Sequence, residues 1–178
     1  MESLSNLTSL TRLEIRRCGE DLTCEGLFPL LTRGQLSKLK VHHSPNFFWR
    51  CNPNPMRGMP KSKLQNLETD DIETNLTFNG NDEMTCFTIE QEMALVLLTS
   101  LQQLEFWYCN KLEHLPARLY MLTNLKTLWI SSCPALQSLC KGGLPSSLQE
   151  LVVAGCGNEE LKEHCKRLIG TIRKIILI

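Results

Sequence analysis

The chain has 178 residues, 42% of them apolar, with 19 basic residues set against 19 acidic ones. Balanced charge gives no pull towards nucleic acid or an anionic membrane, and no apolar run reaches the roughly eighteen residues a membrane span needs. The opening MESLSNLTSL lacks a basic stretch followed by an apolar one, so no secretory signal is visible.

The pattern Leu-x-x-Leu-x-Φ, with Φ usually Ile, Val or Phe, recurs seven times. In chain order the copies are LTSLTRLEIRRC (7–18), GQLSKLKVHHS (34–44), KLQNLETDDI (63–72), LTSLQQLEFWYC (98–109), LTNLKTLWISSC (122–133), SSLQELVVAGC (146–156) and TIRKIILI (171–178). Their central residues, Leu13, Leu39, Leu67, Leu104, Leu128, Leu151 and Ile175, are separated by 26, 28, 37, 24, 23 and 24 residues. A repeat of this length and spelling is the signature of leucine-rich repeats. Each Leu-x-Φ forms a short strand whose side chains alternate between core and solvent. No repeat can bury its leucines alone, so the units stack. The expected fold is therefore α/β: one leucine-rich-repeat solenoid over 1–178, a horseshoe of about seven repeats. A parallel sheet lines its concave face, and loops and short helices its convex face.

Between the strands, 45–62 (PNFFWRCNPNPMRGMPKS) is rich in Pro and Asn and reads as an inserted surface loop. The long step makes 73–97 an irregular repeat, in which Leu76-Thr77-Phe78 is a candidate extra strand. Residues 88–98 read as a helix, with Thr88 as N-cap and Gln91 at capping-box spacing. Residues 112–122 and 136–144 return on the convex side, where Pro116 and Pro145 favour loops and short turns. A second helix covers 158–168, capped by Asn158, acidic in its first turn and basic in its last. The final strand, 171–178, follows Gly170. The chain opens inside a repeat with no polar cap before it, so it is expected to be a piece of a longer protein.

Nine cysteines are present. Cys18, Cys109, Cys133 and Cys156 share one repeat phase with Ser44 and Ile72, where a free thiol serves as a small inward hydrophobe. An odd total without a secretion signal fits a reducing compartment, the cytosol or nucleus.

Candidate functional residues lie on the concave wall. Arg12, Arg16, Lys38, Lys40 and His42 form a basic region in the first two repeats, answered by Glu68 and Asp70 in the third. From the fourth onward the wall turns apolar, with Glu105, Trp107, Trp129 and Val152 as contact candidates. Two tryptophans on adjacent strands at solvent-facing positions are the sharpest functional feature, because exposed aromatic clusters mark interaction sites. The bland reading is that the rings shield the sheet and the basic residues are merely solvated. No phosphate loop, dinucleotide fingerprint or zinc spacing occurs. His42 and His43, adjacent on a strand, point to opposite faces. No catalytic, cofactor or metal residue is expected, and no enzyme.

The endings LEIRRC and LWISSC, the turn CPALQSL running into GGLPSSLQEL, the tail CGNEELKEHCKRLIGTI and the upstream FTIEQEMALVLLTSLQQLEF together resemble the C-terminal repeats of plant disease-resistance proteins. These are the nucleotide-binding, leucine-rich-repeat (NBS-LRR) class, and cereal members are most similar. The resemblance is strong over 88–172 and fair over 1–72. Residues 73–87 are short against the family pattern, and Cys140 stands where Pro is frequent. The resemblance implies an innate-immunity module that recognises a pathogen effector or a guarded host protein and restrains its own nucleotide-binding domain. That domain is not in this stretch, so nucleotide binding does not carry over. Two alternatives are the substrate-binding repeats of an F-box type ubiquitin-ligase adaptor and a non-functional truncated receptor. An extracellular ectodomain is disfavoured by cysteine, rather than asparagine, at the ladder phase.

Overall fold

The computed structural model describes residues 9–17, 38–44, 75–81, 83–96, 98–140 and 142–178. Seven strands form one parallel sheet in simple sequence order: β1 Arg12–Arg16, β2 Lys38–His42, β3 Asn75–Asn79, β4 Gln103–Trp107, β5 Thr127–Ser131, β6 Glu150–Ala154 and β7 Lys174–Leu177. Helix α1 spans Ile89–Val96 and α2 spans Glu159–Arg167. Among the described residues the returns are otherwise turns and one 3₁₀ turn, Leu119–Met121. This is the expected leucine-rich-repeat solenoid.

Register follows the leucine spine. Leu13, Leu39, Leu76, Leu104, Leu128, Leu151 and Ile175 pair rung to rung. The third rung corrects the sequence expectation: Leu76, not Leu67, sits between Leu39 and Leu104. The candidate extra strand is thus the third rung itself. The long step of 37 residues falls between Leu39 and Leu76, and 28 residues then lead to Leu104. The segment 63–72, with Glu68 and Asp70, lies outside the described residues, as does the 45–62 insertion.

Behind the sheet the core is continuous. Each spine leucine from Leu39 to Leu151 and its Φ partner, from Val41 to Val153, is buried, joined by return leucines such as Leu112, Leu119, Leu122 and Leu136. At the centre Phe78 and Phe106 stack with ring centroids 5.5 Å apart, and Phe87, from the return before α1, meets both edge-on. Edge-to-face and offset contacts suit the ring quadrupole. The Thr88–Gln91 capping box forms reciprocally, with bonds of 2.9 and 3.2 Å. Asn158 caps α2 by accepting from the Glu160 and Leu161 amides. Helix α2 buries Leu161 and Cys165 in the common core.

A repeated backbone device ends the strands. Arg17, His43, Gly80, Tyr108, Ser132 and Gly155 occupy one phase, and all have φ between 47° and 64°. Each donates its amide to the last wall residue of the next rung, as in Tyr108 to Ser131 and Ser132 to Ala154. Strict alternation would turn the residue at this phase inward and the following one outward. The left-handed turn reverses that: Tyr108 is 54% exposed, and Cys109 is fully buried. Gly80 needs its missing side chain twice over, because a Cβ there would also lie 2.3 Å from Cε1 of His43. His43 is therefore exposed over Gly80 rather than facing the core, contrary to the expectation of opposed histidines.

The ladder phase then points inward. The thiols of Cys109, Cys133 and Cys156 each reach back to the Φ carbonyl of the preceding rung, at 4.0, 3.8 and 4.0 Å. They also approach the carbonyl two residues back in their own rung, at 3.6, 3.4 and 3.5 Å. In the third rung this phase belongs to Asn81, not Ile72: its Oδ1 accepts from the buried Ser44 amide at 2.7 Å. Cys18 and Ile72 lie outside the described residues.

Candidate functional site

The inner wall is the sheet face turned away from the core, and its residues fall into three columns set by strand register. Strand spacing of about 4.8 Å brings column neighbours into contact. Rungs one and two carry Arg12 and Lys38 in the first column, Glu14 and Lys40 in the second, Arg16 and His42 in the third. Glu14 gathers the third column. Its Oε1 accepts from Arg16 Nε at 2.8 Å and lies 3.0 Å from His42 Nε2, off the line a hydrogen bond requires. The Arg16 hydrogen bond holds the Glu14 carboxyl below its ordinary value. Burial pushes His42 below its ordinary value, with Arg16, Lys40 and His43 adding to the shift and Glu14 opposing it. At neutral pH His42 is therefore an uncharged member of the basic region.

Rung three separates this region from the next with neutral residues: Asn75, Thr77 and Asn79. Asn79 stands where the notional Asp70 would have been, and Thr77 where Glu68 would have been. The basic rungs are thus answered by Glu14, within their own first rung.

The second region centres on Glu105 in β4. Its Oε2 accepts from Thr77 Oγ1 across the rung at 2.9 Å and from Trp107 Nε1 along the strand at 3.0 Å. Its Oε1 accepts from Gln103 Nε2. Trp129, the register partner of Glu105, leans against Trp107 with ring centroids 5.8 Å apart and planes tilted by 55°. Both indoles are half-buried. Val152 continues the column but is only 3% exposed, so it offers a partner almost no surface. Glu150 is tied to Lys174 at 2.7 Å.

The expected residues therefore fall into two groups. Arg12, Arg16, Lys38, Lys40 and His42 come together on rungs one and two, and Glu105, Trp107 and Trp129 on rungs four and five. Thr77 and Gln103 stand outside the expected set, yet they position Glu105. Thr77 was hidden by the misplaced third rung; with Leu76 in the spine, the column reading places it directly beside Glu105. Among the described residues no group of His, Cys, Asp and Glu side chains is arranged to hold a metal ion. No described helix is long and apolar enough to cross a membrane.

No protein-family model matches the chain, and no curated protein matches it.

Proposed function

We propose that the inner wall is a protein-recognition surface and that the chain is the repeat module of an intracellular plant immune receptor. The observation that carries the recognition reading is the Trp107–Trp129 pair beside Glu105, half-open aromatic surface on adjacent rungs. Tryptophan supplies large contact area with few rotatable bonds and dominates binding hot spots. The basic rungs add long-range steering for an acidic partner surface.

The receptor reading rests on the sequence resemblance over 88–172, supported by the stacked rungs, the inward thiol ladder and the capped C-terminal helix. Its partners would be a pathogen effector, a guarded host protein or the receptor's own nucleotide-binding domain. Binding without catalysis, in the cytosol or nucleus, completes the proposal. The alternative is the substrate-binding repeats of an F-box type adaptor, which share the solenoid and a recognition wall.

Reading the open reading frame upstream of Met1 separates the two. A nucleotide-binding switch domain with a phosphate loop supports the receptor, an F-box segment supports the adaptor, and a stop codon directly upstream counts against both.

A further inference from the structure

The inner wall carries three carboxylates among the described residues, and two have a cation at hand. Glu14 meets Arg16, and Glu150 meets Lys174. Glu105 has none: among the described residues it forms no ion pair, and its bonds come from the neutral donors Thr77, Gln103 and Trp107. Those donors fix the carboxylate in one orientation without cancelling its charge. A carboxylate offers about four acceptor positions across its two oxygens. Two donors share Oε2 and one takes Oε1, so among the described residues one acceptor position on Oε1 has no donor. Trp129, the register partner of Glu105 on the adjoining rung, has a half-buried ring.

We propose that Glu105 and Trp129 form a receptor for an arginine side chain presented by the protein partner. This deepens the recognition reading and rests on it. A guanidinium is planar, always charged and able to stack while it donates. Laid on the Trp129 face, it gains the cation–π attraction, and an edge N–H donates to that acceptor position on Glu105 Oε1. A lysine ammonium, a compact and strongly hydrated charge, cannot stack and fork at once. An apolar side chain would leave the carboxylate uncompensated, and an acidic one would be repelled.

The test uses the full chain and N-acetyl-arginine methylamide as the probe, with the citrulline analogue as a neutral control of the same shape. The readout is the three indole N–H resonances, those of Trp107 and Trp129 identified by Trp107→Phe and Trp129→Phe. The arginine probe is expected to shift the Trp107 and Trp129 resonances, with the citrulline probe weaker by about tenfold. Glu105→Gln, which keeps an acceptor oxygen and hence the local packing, is expected to bring the two probes to equal affinity. Equal binding of both probes to the native chain, or no shift of either wall indole, would overturn the proposal. So would a protein partner that binds Glu105→Gln unchanged but is lost on Lys38→Glu, an outcome that leaves the wall itself as the recognition surface.

Discussion

Trp107 donates its indole N–H to the carboxylate of Glu105, two residues back on the same strand, at 3.0 Å. Side chains at i and i+2 of a strand share a face, so one bond locks the ring orientation that the wall presents. Glu105 also serves the 6% exposed Thr77. Glu105→Ala should therefore cost about 1–3 kcal/mol, the penalty of leaving a buried donor unmade, and Glu105→Gln clearly less. Urea unfolding of the two variants checks this. Native-like stability for both would mean the carboxylate bonds contribute nothing to the fold.

Gly80→Ala should be destabilising, for two separable reasons. Its φ of +64° costs an alanine about 1–2 kcal/mol by itself, and the His43 ring occupies the space of the added Cβ. In a His43→Ala background only the first cost should persist. A double-mutant cycle in which Gly80→Ala is equally damaging with and without the imidazole would show the close approach to be irrelevant.

Stability of the first two rungs should depend on pH through His42. Its folded-state value is lowered by burial, so below the ordinary value near 6.5 the unfolded chain takes up a proton before the folded one does. Stability is then full above about pH 6.5 and falls as the pH drops towards the folded-state value. Glu14, also lowered, loses its own contribution only at more acidic pH, below the ordinary carboxylate range. Amide exchange in β1 and β2 at pH 7.0 and at about 5.5 should show faster opening at the lower pH, and His42→Gln should remove the difference. An unchanged difference in that variant would assign the effect to another group.

The inward thiols should be inert in the folded chain. Burial pushes Cys140 up to about 12 and Cys165 up to about 11, and it raises Cys156 as well. Cys133 is raised chiefly by its bond with Cys109. The thiolate is the reactive form, so maleimide labelling at pH 8 should mark the exposed Cys86 quickly. Cys109, Cys133, Cys140, Cys156 and Cys165 should react only in denaturant. Rapid native labelling of the ladder thiols would mean that the rungs are not stacked as described.

The rungs were legible where the spelling was complete. Leu10, Leu101, Leu125 and Leu148 each precede a spine leucine by three residues and announce it. Leu76 has Glu73 at that place, whereas Leu64 and Leu67 imitate the pattern without forming the third rung. The residues that mark the true rung, Leu76, Phe78 and Asn81 in LTFNGN, carry the signal on the other side of the spine, in the inward Φ and the ladder amide. Both helix caps could be read because they depend on local spacing. The Glu105 network could not, since it joins Thr77 to a carboxylate 28 positions away and requires the correct register. The burial of Val152 was likewise invisible to an alternation rule, which assigns a face but not what shields it.

The most direct test of the recognition wall is the double variant Trp107→Ala and Trp129→Ala. It should be assayed for melting temperature and for association in trans with the nucleotide-binding domain that the proposed receptor would carry. Association should fall by tenfold or more, about 1.4 kcal/mol or above, while the melting temperature stays nearly unchanged. A large drop in melting temperature with association intact would contradict the account and make the two rings packing residues alone.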